Sequence, residues 1–551
     1  SLGISAGLAG GLVTVAGSLL INAIAPVRPP SMGDLSGSSQ RDSPTLSIEG
    51  ARNRANPFGV IPVVLGRHRH VPPLAAQTYT ETVGDDQYLR MLVVWGYGPL
   101  KIEDLRIGDT PLSSFDGVAV QNREGRPGDA PITIYPKQVD EQSLGILLKQ
   151  SNSWATRTTA RDADELSLDI VFPNGLVKFN DEGEREARAV AAQIQYRRAG
   201  DSTWLTPGYS ATTVSSNWIS GATVRFAHKR TSAIRHGFRW SVPRGQYEVR
   251  LRRTTSDTSD AQISDTVQWA TLRSFTNENP VQFRHPLAMT ALSIKATDQL
   301  NGVVDQLNGI VTSYVTDFDG SEVASSNPAL LYRHVLQGNA NARRMTDERV
   351  DLAKLEAWRD YCDDQGVEFN MIRDFQASAW DTLADIASTG RGSPSQIDGK
   401  WSVTVDQPQP YPVQMFTPRN SWGFEAEKTF PDPPHAFRIR FADRNQDWEQ
   451  GERIVYADGY DESNAEIFET LDAPGVTSSD HAWKFGRFHL AQSLLRPERW
   501  TLNLDFEHLV CRRGDRVAIS HDVLLVGLGQ GRIKEVVNDE SGDAIGIVVD
   551  E

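Results

Sequence analysis

The feature that most limits this chain is the shortness of its apolar runs. Between residues 45 and 136 they read VIPVVLG, YLRMLVVWGYGPL, DLRIGDTPL and PITIYP, with Gly, Pro and Asp between them. Strands of four to seven residues punctuated in this way argue for a β-barrel or sandwich and against a parallel βαβ sheet. From about 155 to 278 the same grain continues in LSLDIVFP, AVAAQIQYRRAGDSTW, GQYEVRLRRTT and TVQWATLRSF. There Gln193, Gln195 and Arg197 alternate with Ile194 and Tyr196, and Tyr247, Val249 and Leu251 alternate with Glu248, Arg250 and Arg252. One face of each strand therefore belongs to a core and the other to water, as in a sandwich of fibronectin type III character.

Within it, between residues 225 and 253, nine basic residues (Arg225, Lys229, Arg230, Arg235, Arg239, Arg244, Arg250, Arg252, Arg253) stand against a single acid, Glu248. Alternation makes them solvated strand faces or partners of another subunit rather than a nucleic-acid patch. The whole chain carries 56 basic and 71 acidic side chains, a formal charge of −15, which disfavours a general affinity for phosphate backbones. At ~150 residues per domain, a length of 551 suggests three or four domains.

Helical signals are confined to a few places. In NPALLYRHVLQG, Asn327 is a cap, Pro328 takes the first helical position and Gly338 follows the end. Leu352, Leu355, Trp358, Tyr361 and Cys362 recur every three or four residues until Gly366. A third helix spans about Ser378–Ser388, and a hairpin turning at Asp398-Gly399 follows it, so 321–415 is expected to be a small α+β domain. DQLNG occurs twice, seven residues apart, within 291–315, and each Asn-Gly is a hairpin signal, so a strand meander is expected there. From 416 to 551 strands return as a second barrel, interrupted by one helix near 480–496 with Trp483, Phe485, Phe488 and Leu494 on its apolar side.

The opening stretch is different in kind. Ser1 to Val27 contains no charged residue, and Gly3, Gly7 and Gly11 stand four apart on one helical face, with Leu19 and Leu20 further along. As a helix the part before Pro26 would span ~37 Å, enough to cross a bilayer. Small residues at this spacing allow close helix approach. Two readings stay open for this apolar N-terminal helix: a dry plug in a partner or an oligomer axis, or a segment that later enters a membrane. A cleaved export signal is not expected, because no basic stretch precedes the apolar run. Residues 28–44 read as a Pro-, Gly- and Ser-rich linker.

Reactive chemistry finds little footing. Asp317, Asp319 and Glu322 in DFDGSE imitate part of a calcium loop without its full spacing, and a polar turn is expected. RHRH (Arg67 to His70) reads as a solvated strand end, Arg513-Gly514-Asp515 as a turn, and the carboxylates of NDEGERE (Asn180 to Glu186) lack the differentiated surroundings that acid–base catalysis needs. Cys362 and Cys511 are too far apart for a CxxC site and are expected to be reduced and buried. No hydrolase, metalloprotease, P-loop or dinucleotide fingerprint occurs. No catalytic, cofactor or metal residue is therefore assigned, and an enzyme is not expected.

A resemblance enters through specific blocks. GARNRANPFGVIPVVLGRHRHVPPLAAQTYTETVGDDQYLRMLVVWGYGPLKIEDLRIGDTPL (50–112) resembles the head region of the tip attachment, or host-specificity, proteins of lambda-like long-tailed phages. NPALLYRHVLQGN, WRDYCDDQGVEFN and IDGKWSV resemble the later hub domains of that family. The resemblance implies a mainly β, multidomain virion protein at the distal tail tip, with two hub β-barrels and a fibronectin-III-like insertion. It further implies a homotrimer whose six barrels match the hexameric tail tube. Its partners would be distal tail and other tip proteins, the tape measure protein and the host envelope. DNA would traverse the lumen without specific binding. On this reading the boundaries are 45–154 for the first hub unit, completed by about 285–320, 155–284 for the sandwich and 416–551 for the second barrel. The apolar N-terminus is not carried over from the family, and the sequence ends at Glu551 without the modules that usually bind the receptor. A cell-wall-degrading tail enzyme and a receptor-binding adhesin are the alternatives.

Overall fold

The strand Asp86–Tyr97 organises the first unit: Leu89, Met91, Val93 and Trp95 alternate into the core, and the Trp95 indole N–H donates to Thr290 Oγ1 at 2.8 Å. In this computed structural model, residues 48–551 are described except 57, 84–85, 209–217, 278–284, 301, 429–432, 522–531, 540, 543 and 551. Asp86–Tyr97 pairs antiparallel with Leu287–Lys295, some 190 residues on, and Tyr79–Val83 and Val118–Arg123 complete a four-stranded sheet. A second sheet centres on Leu307–Thr316, flanked by Leu100–Ile107, Arg67–His70 and Glu322–Ala324. Val64, Leu89, Trp95, Leu292, Leu307 and Val311 are among the side chains packed between them.

This is a two-sheet arrangement and not the barrel expected. Among the described residues, no strand pairing closes the first sheet onto the second. The edge strand Tyr79–Val83 is met instead by Ile234–Gly245 of the inserted domain, where a Cβ on Gly237 would lie 2.0 Å from the Thr82 carbonyl oxygen. A covered edge cannot also pair to close a barrel. The meander expectation needs correction too. Asn308-Gly309 makes no turn: Gly309 sits inside Leu307–Thr316, where an added Cβ would come within 3.0 Å of the Trp95 ring. Lack of a side chain to fit beneath Trp95, and not turn geometry, explains this glycine.

The insertion is a sandwich. One sheet has the order Ala155–Thr158, Tyr247–Arg253, Arg188–Arg198, Thr223–His228, Trp218–Ser220; the other runs Ile234–Gly245, Ala163–Phe172, Val267–Thr276, Gln138–Leu148. Val190, Ala192, Ile194, Val249 and Leu251 face its core, as alternation requires. Beneath the opposite face Arg273, only 2% exposed, is held by Asp169 and Glu141, each at 2.7 Å.

The α+β domain contains α1 (Pro328–Gln337), α2 (Leu352–Gln365) and α3 (Ala379–Thr389). The Asn327 side chain accepts from the Ala329 N–H, Gly366 closes α2 in the left-handed conformation, and Ser378 caps α3. Strands Gly392–Ile397 and Lys400–Val405 form the hairpin, and Trp358 donates to the Gly390 carbonyl at 2.9 Å. Cys362 is buried here, whereas Cys511, expected to be buried, is only half-buried.

The last 140 or so residues depart furthest from expectation. Their strands pair in twos and threes: Gln414–Phe416 with Val517–Ile519, Ser421–Lys428 with Glu498–Leu504, Arg532–Asn538 with Ala544–Asp550, and Glu449–Tyr456 with Ala436–Asp443 and Phe468–Asp472. No closed barrel forms among the described residues. The helix α4 (Ser479–Leu495) turns His481, Ala482, Gly486 and Leu490 inward; of the apolar side read from the sequence, Phe485 packs half-buried against the same core, while Trp483 and Leu494 face out. Gly486 decides this, since an added Cβ there would approach Val455 Cγ2 to 2.8 Å, so only a glycine lets α4 lie flat on the strands.

Candidate functional site

Gly3, Gly7, Gly11, Leu19 and Leu20, singled out from the sequence, lie outside the described residues. Within them, the molecule's most unusual surface is apolar. The 3₁₀ turn Phe506–Val510 leaves Phe506 78%, Leu509 72% and Val510 57% exposed. Asn420 ties that turn to the neighbouring strands, donating to Glu507 Oε2 at 2.6 Å and to the Met415 carbonyl at 3.1 Å. Tyr411, Met415 and Trp422 are exposed on the same segments, as are Ile533, Val536, Val537, Ile547 and Val548 on the terminal hairpin. Single exposed apolar residues are ordinary, but such a concentration marks a surface made for contact. It coincides with sheets of two or three strands whose edges are open to pairing among the described residues. Sequence reasoning missed this surface because an apolar residue type does not say whether a partner covers it; only the exposure of these side chains reveals it.

RHRH proves to be a junction and not a solvated strand end. His70 is buried, and burial, with His68 nearby, lowers its pKa to about 4. Arg69 donates to Asp104 at 2.7 Å and to Asp447 at 3.2 Å, Arg106 approaches the same two carboxylates, and Arg69 lies over the Trp448 ring. Burial pushes the Asp104 carboxyl up, but the hydrogen bonds from Arg69 and Arg106 outweigh it and hold it below its ordinary value. Asp104, Asp447 and Trp448 all have positive φ (47°, 52° and 62°), an unfavourable conformation for such residues that a tightly determined contact sustains. The first unit and the last domain are thus latched together by charge.

The basic residues of the sandwich are largely satisfied within the chain. Arg239 bridges Glu81 of the first unit and Glu165 of the sandwich, and Arg253 is buried against Asp265. Arg197, Trp204, Arg250, Trp154 and Arg252 form an alternating cation–π ladder, with guanidinium-to-ring distances of 4.4, 3.8, 4.2 and 4.5 Å. Gln195 and Gln193 accept from Arg250 and Arg252, which fixes the guanidinium planes. The ladder reinforces the sheet face and removes the need for a nucleic-acid partner.

The remaining motifs are structural. Asp317 accepts from Arg359 at 2.7 Å, Asp319 caps the turn at Ser321, and Glu322 pairs with Arg126, so the three carboxylates diverge. Arg513-Gly514-Asp515 is a turn with Gly514 at φ 93°, and Asn180–Glu184 is an exposed turn closed by the Asn180 side chain. No group of three or more metal-ligating side chains occurs among the described residues.

Comparison with known families resolves what this surface belongs to. Residues 138–278, the sandwich, match the model described as tip attachment protein J, FNIII-A domain, and residues 414–536, which carry most of the exposed apolar surface, match a putative phage tail protein. Both matched segments are thus of phage tail protein families, one of them the tip attachment protein J kind. This phage tail protein is accordingly a virion component. Among solved structures, the 43 kDa tail protein of prophage MuSo2 from Shewanella oneidensis matches over 68% of this chain and 89% of that one, at 7% identity and a TM-score of 0.23. That score is too low to equate the two folds.

Proposed function

We propose that this tail protein is a structural, non-enzymatic protomer of a trimeric central hub at the distal tail tip, which closes the tail tube, aids host attachment and lets DNA pass during infection. One observation carries the reading: among the described residues of the 411–551 region, large apolar side chains and strand edges are left uncovered, as in an element that a neighbouring copy completes. Three such interfaces around an axis would pair the open edges and bury Phe506, Leu509 and Val510. The sandwich, by contrast, has its own filled core and satisfied charges, and sits as a decoration on the first unit.

The charge supports a passive passage. At −15 per copy, a ring lined by acidic side chains repels phosphate and leaves DNA free to slide. Distal tail protein, other tip proteins and the tape measure protein are the neighbours this role requires. The uncharged residues 1–27 would lie near the axis until they meet the host envelope. Liposome leakage by the 1–27 peptide, abolished when Gly7 and Leu19 are made charged, is the result expected of such a segment; leakage unchanged by those charges would remove this part of the reading.

Size-exclusion chromatography with light scattering on the purified chain, followed by electron microscopy of virions, tests the whole. Threefold particles seated at the tail end are expected. A stable monomer at micromolar concentration that clears cell wall in a zymogram would replace the hub with a tail enzyme.

A further inference from the structure

A cavity of about 680 Å³ opens where the end of α3, the Lys400–Val405 strand and its continuation, the inner turn of α4 and the Arg513-Gly514-Asp515 turn converge. Four arginines reach it, Arg391, Arg496, Arg513 and Arg516, against two carboxylates, Asp406 and Asp515. Both carboxylates are already engaged. Asp406 takes a two-pronged pair from Arg496 at 2.6 and 2.8 Å, and Asp515 accepts from the Arg512 backbone N–H at 2.6 Å.

The hydrogen-bond and ring partners of the other three cations are neutral, although Arg391 lies near enough to Asp406 to help Arg496 hold its carboxyl below the ordinary value. Arg391 donates to the Tyr361 hydroxyl at 3.3 Å and lies over the Phe488 ring; Arg513 reaches the Pro394 carbonyl at 3.4 Å; Arg516 donates to the Gln409 carbonyl at 2.8 Å. None of the three is in an ion pair among the described residues. In a chain of net charge −15, four guanidiniums against two carboxylates make the surroundings of this one cavity locally positive.

The cavity is also built, not incidental. Arg391 holds φ 55°, a left-handed conformation rare for a side chain of its size, and its carbonyl accepts from the Asp406 N–H at 2.8 Å. That strained link fixes Arg391 beside the Asp406–Arg496 pair at the base of the hairpin. Gly514 packs so tightly on Thr404 that a Cβ would meet its methyl at 2.2 Å, which pins the turn bearing Arg513. Ser393 and Gln407 add neutral hydrogen-bonding groups to the wall. The volume falls within the ~300–1,000 Å³ typical of small-molecule sites, well beyond what a lone ion needs.

We infer that this cavity is a binding site for an anionic saccharide, a sugar bearing a phosphate or carboxylate, with Arg391 and Arg513 holding the anion and the neutral wall groups meeting hydroxyls. The inference is independent of the trimeric hub, since every residue named lies within one chain.

Isothermal titration calorimetry of the full chain at low ionic strength, with glucose 6-phosphate, glucuronate, glucose and inorganic phosphate as probes, tests it. Saturable binding of one or both anionic sugars, at least ~10-fold tighter than glucose or inorganic phosphate, is expected, one charge-assisted contact accounting for about that factor. Arg391→Gly keeps the left-handed backbone without strain and should weaken binding at least ~10-fold, as should Arg513→Gln, with the thermal midpoint of each variant reporting that it remains folded. Lys354→Gln, remote from the cavity, should change nothing. Absence of binding by either anionic sugar, equal affinity for glucose, equal affinity for inorganic phosphate alone, or full affinity in a folded Arg391→Gly protein would each overturn the assignment.

Discussion

Replacing Phe506 by serine tests the assembly surface most directly. The ring is 78% exposed in the isolated chain. An aromatic side chain offers ~200 Å², so a neighbour covering that exposed part removes ~150 Å² from water, which at ~25 cal/mol/Å² corresponds to ~4 kcal/mol. Ordering of side chains and imperfect pairing at the interface reduce the net to ~2 kcal/mol, or ~30-fold in each contact's equilibrium constant. Three contacts in a closed ring compound this to ~10⁴-fold between trimer and monomer. Because Phe506 supports no core within its own chain, the monomer's stability should change by less than ~0.5 kcal/mol. Mass photometry and light scattering across a dilution series would follow dissociation, with circular dichroism melts checking the fold. A wild-type chain that is monomeric at micromolar concentration, or a Phe506→Ser variant whose dissociation matches that of a remote Lys354→Ser control, would refute the reasoning.

Asp169→Ala strips the buried Arg273 of its inner counter-charge and is expected to destabilise the sandwich by ~3–5 kcal/mol in urea titrations, whereas the paired change Asp169→Leu with Arg273→Met should recover most of that loss. Gly237→Ala forces a methyl against the Thr82 carbonyl and should cost ~1–3 kcal/mol, read as faster amide exchange in Tyr79–Val83. His236 is kept neutral by burial, aided by the neighbouring charges of His228 and Arg230, which lowers its pKa from 6.5 to about 3. The unfolded chain therefore binds more protons between those values, so stability is full above about 6.5 and falls as pH drops toward 3. Thermal midpoints measured across that range should show the fall, less steep in His236→Phe. Asp447→Ala frees Arg69 and Arg106 from one of their two carboxylates and should raise protease cleavage between the first unit and the last domain without altering the sandwich's melting.

Local signals were readable where one segment's chemistry suffices. Asn327, Pro328 and Gly366 bound their helices because capping and left-handed geometry involve only near neighbours in the chain. The alternation of Ile194, Val249 and Leu251 identified a sandwich because each strand keeps one face against a core. Where two distant segments meet, the same signals misled. Asn308-Gly309 has the composition of a turn but lies mid-strand beneath Trp95, and α4 buries Gly486 and leaves Trp483 outside because Val455 leaves no room for a side chain at 486. RHRH became a charged junction only through Asp104 and Asp447, hundreds of residues apart in one case.

By itself, then, the sequence determined that this chain is built of short β elements with a few capped helices, since turn formers and residue period act over a handful of positions. Tertiary structure alone decided that, among the described residues, sheets stay open instead of closing, which arginines find carboxylates and which do not, and where apolar side chains are left uncovered. Those outcomes depend on which strand arrives beside which, and the alternation that makes a strand says nothing about its neighbour.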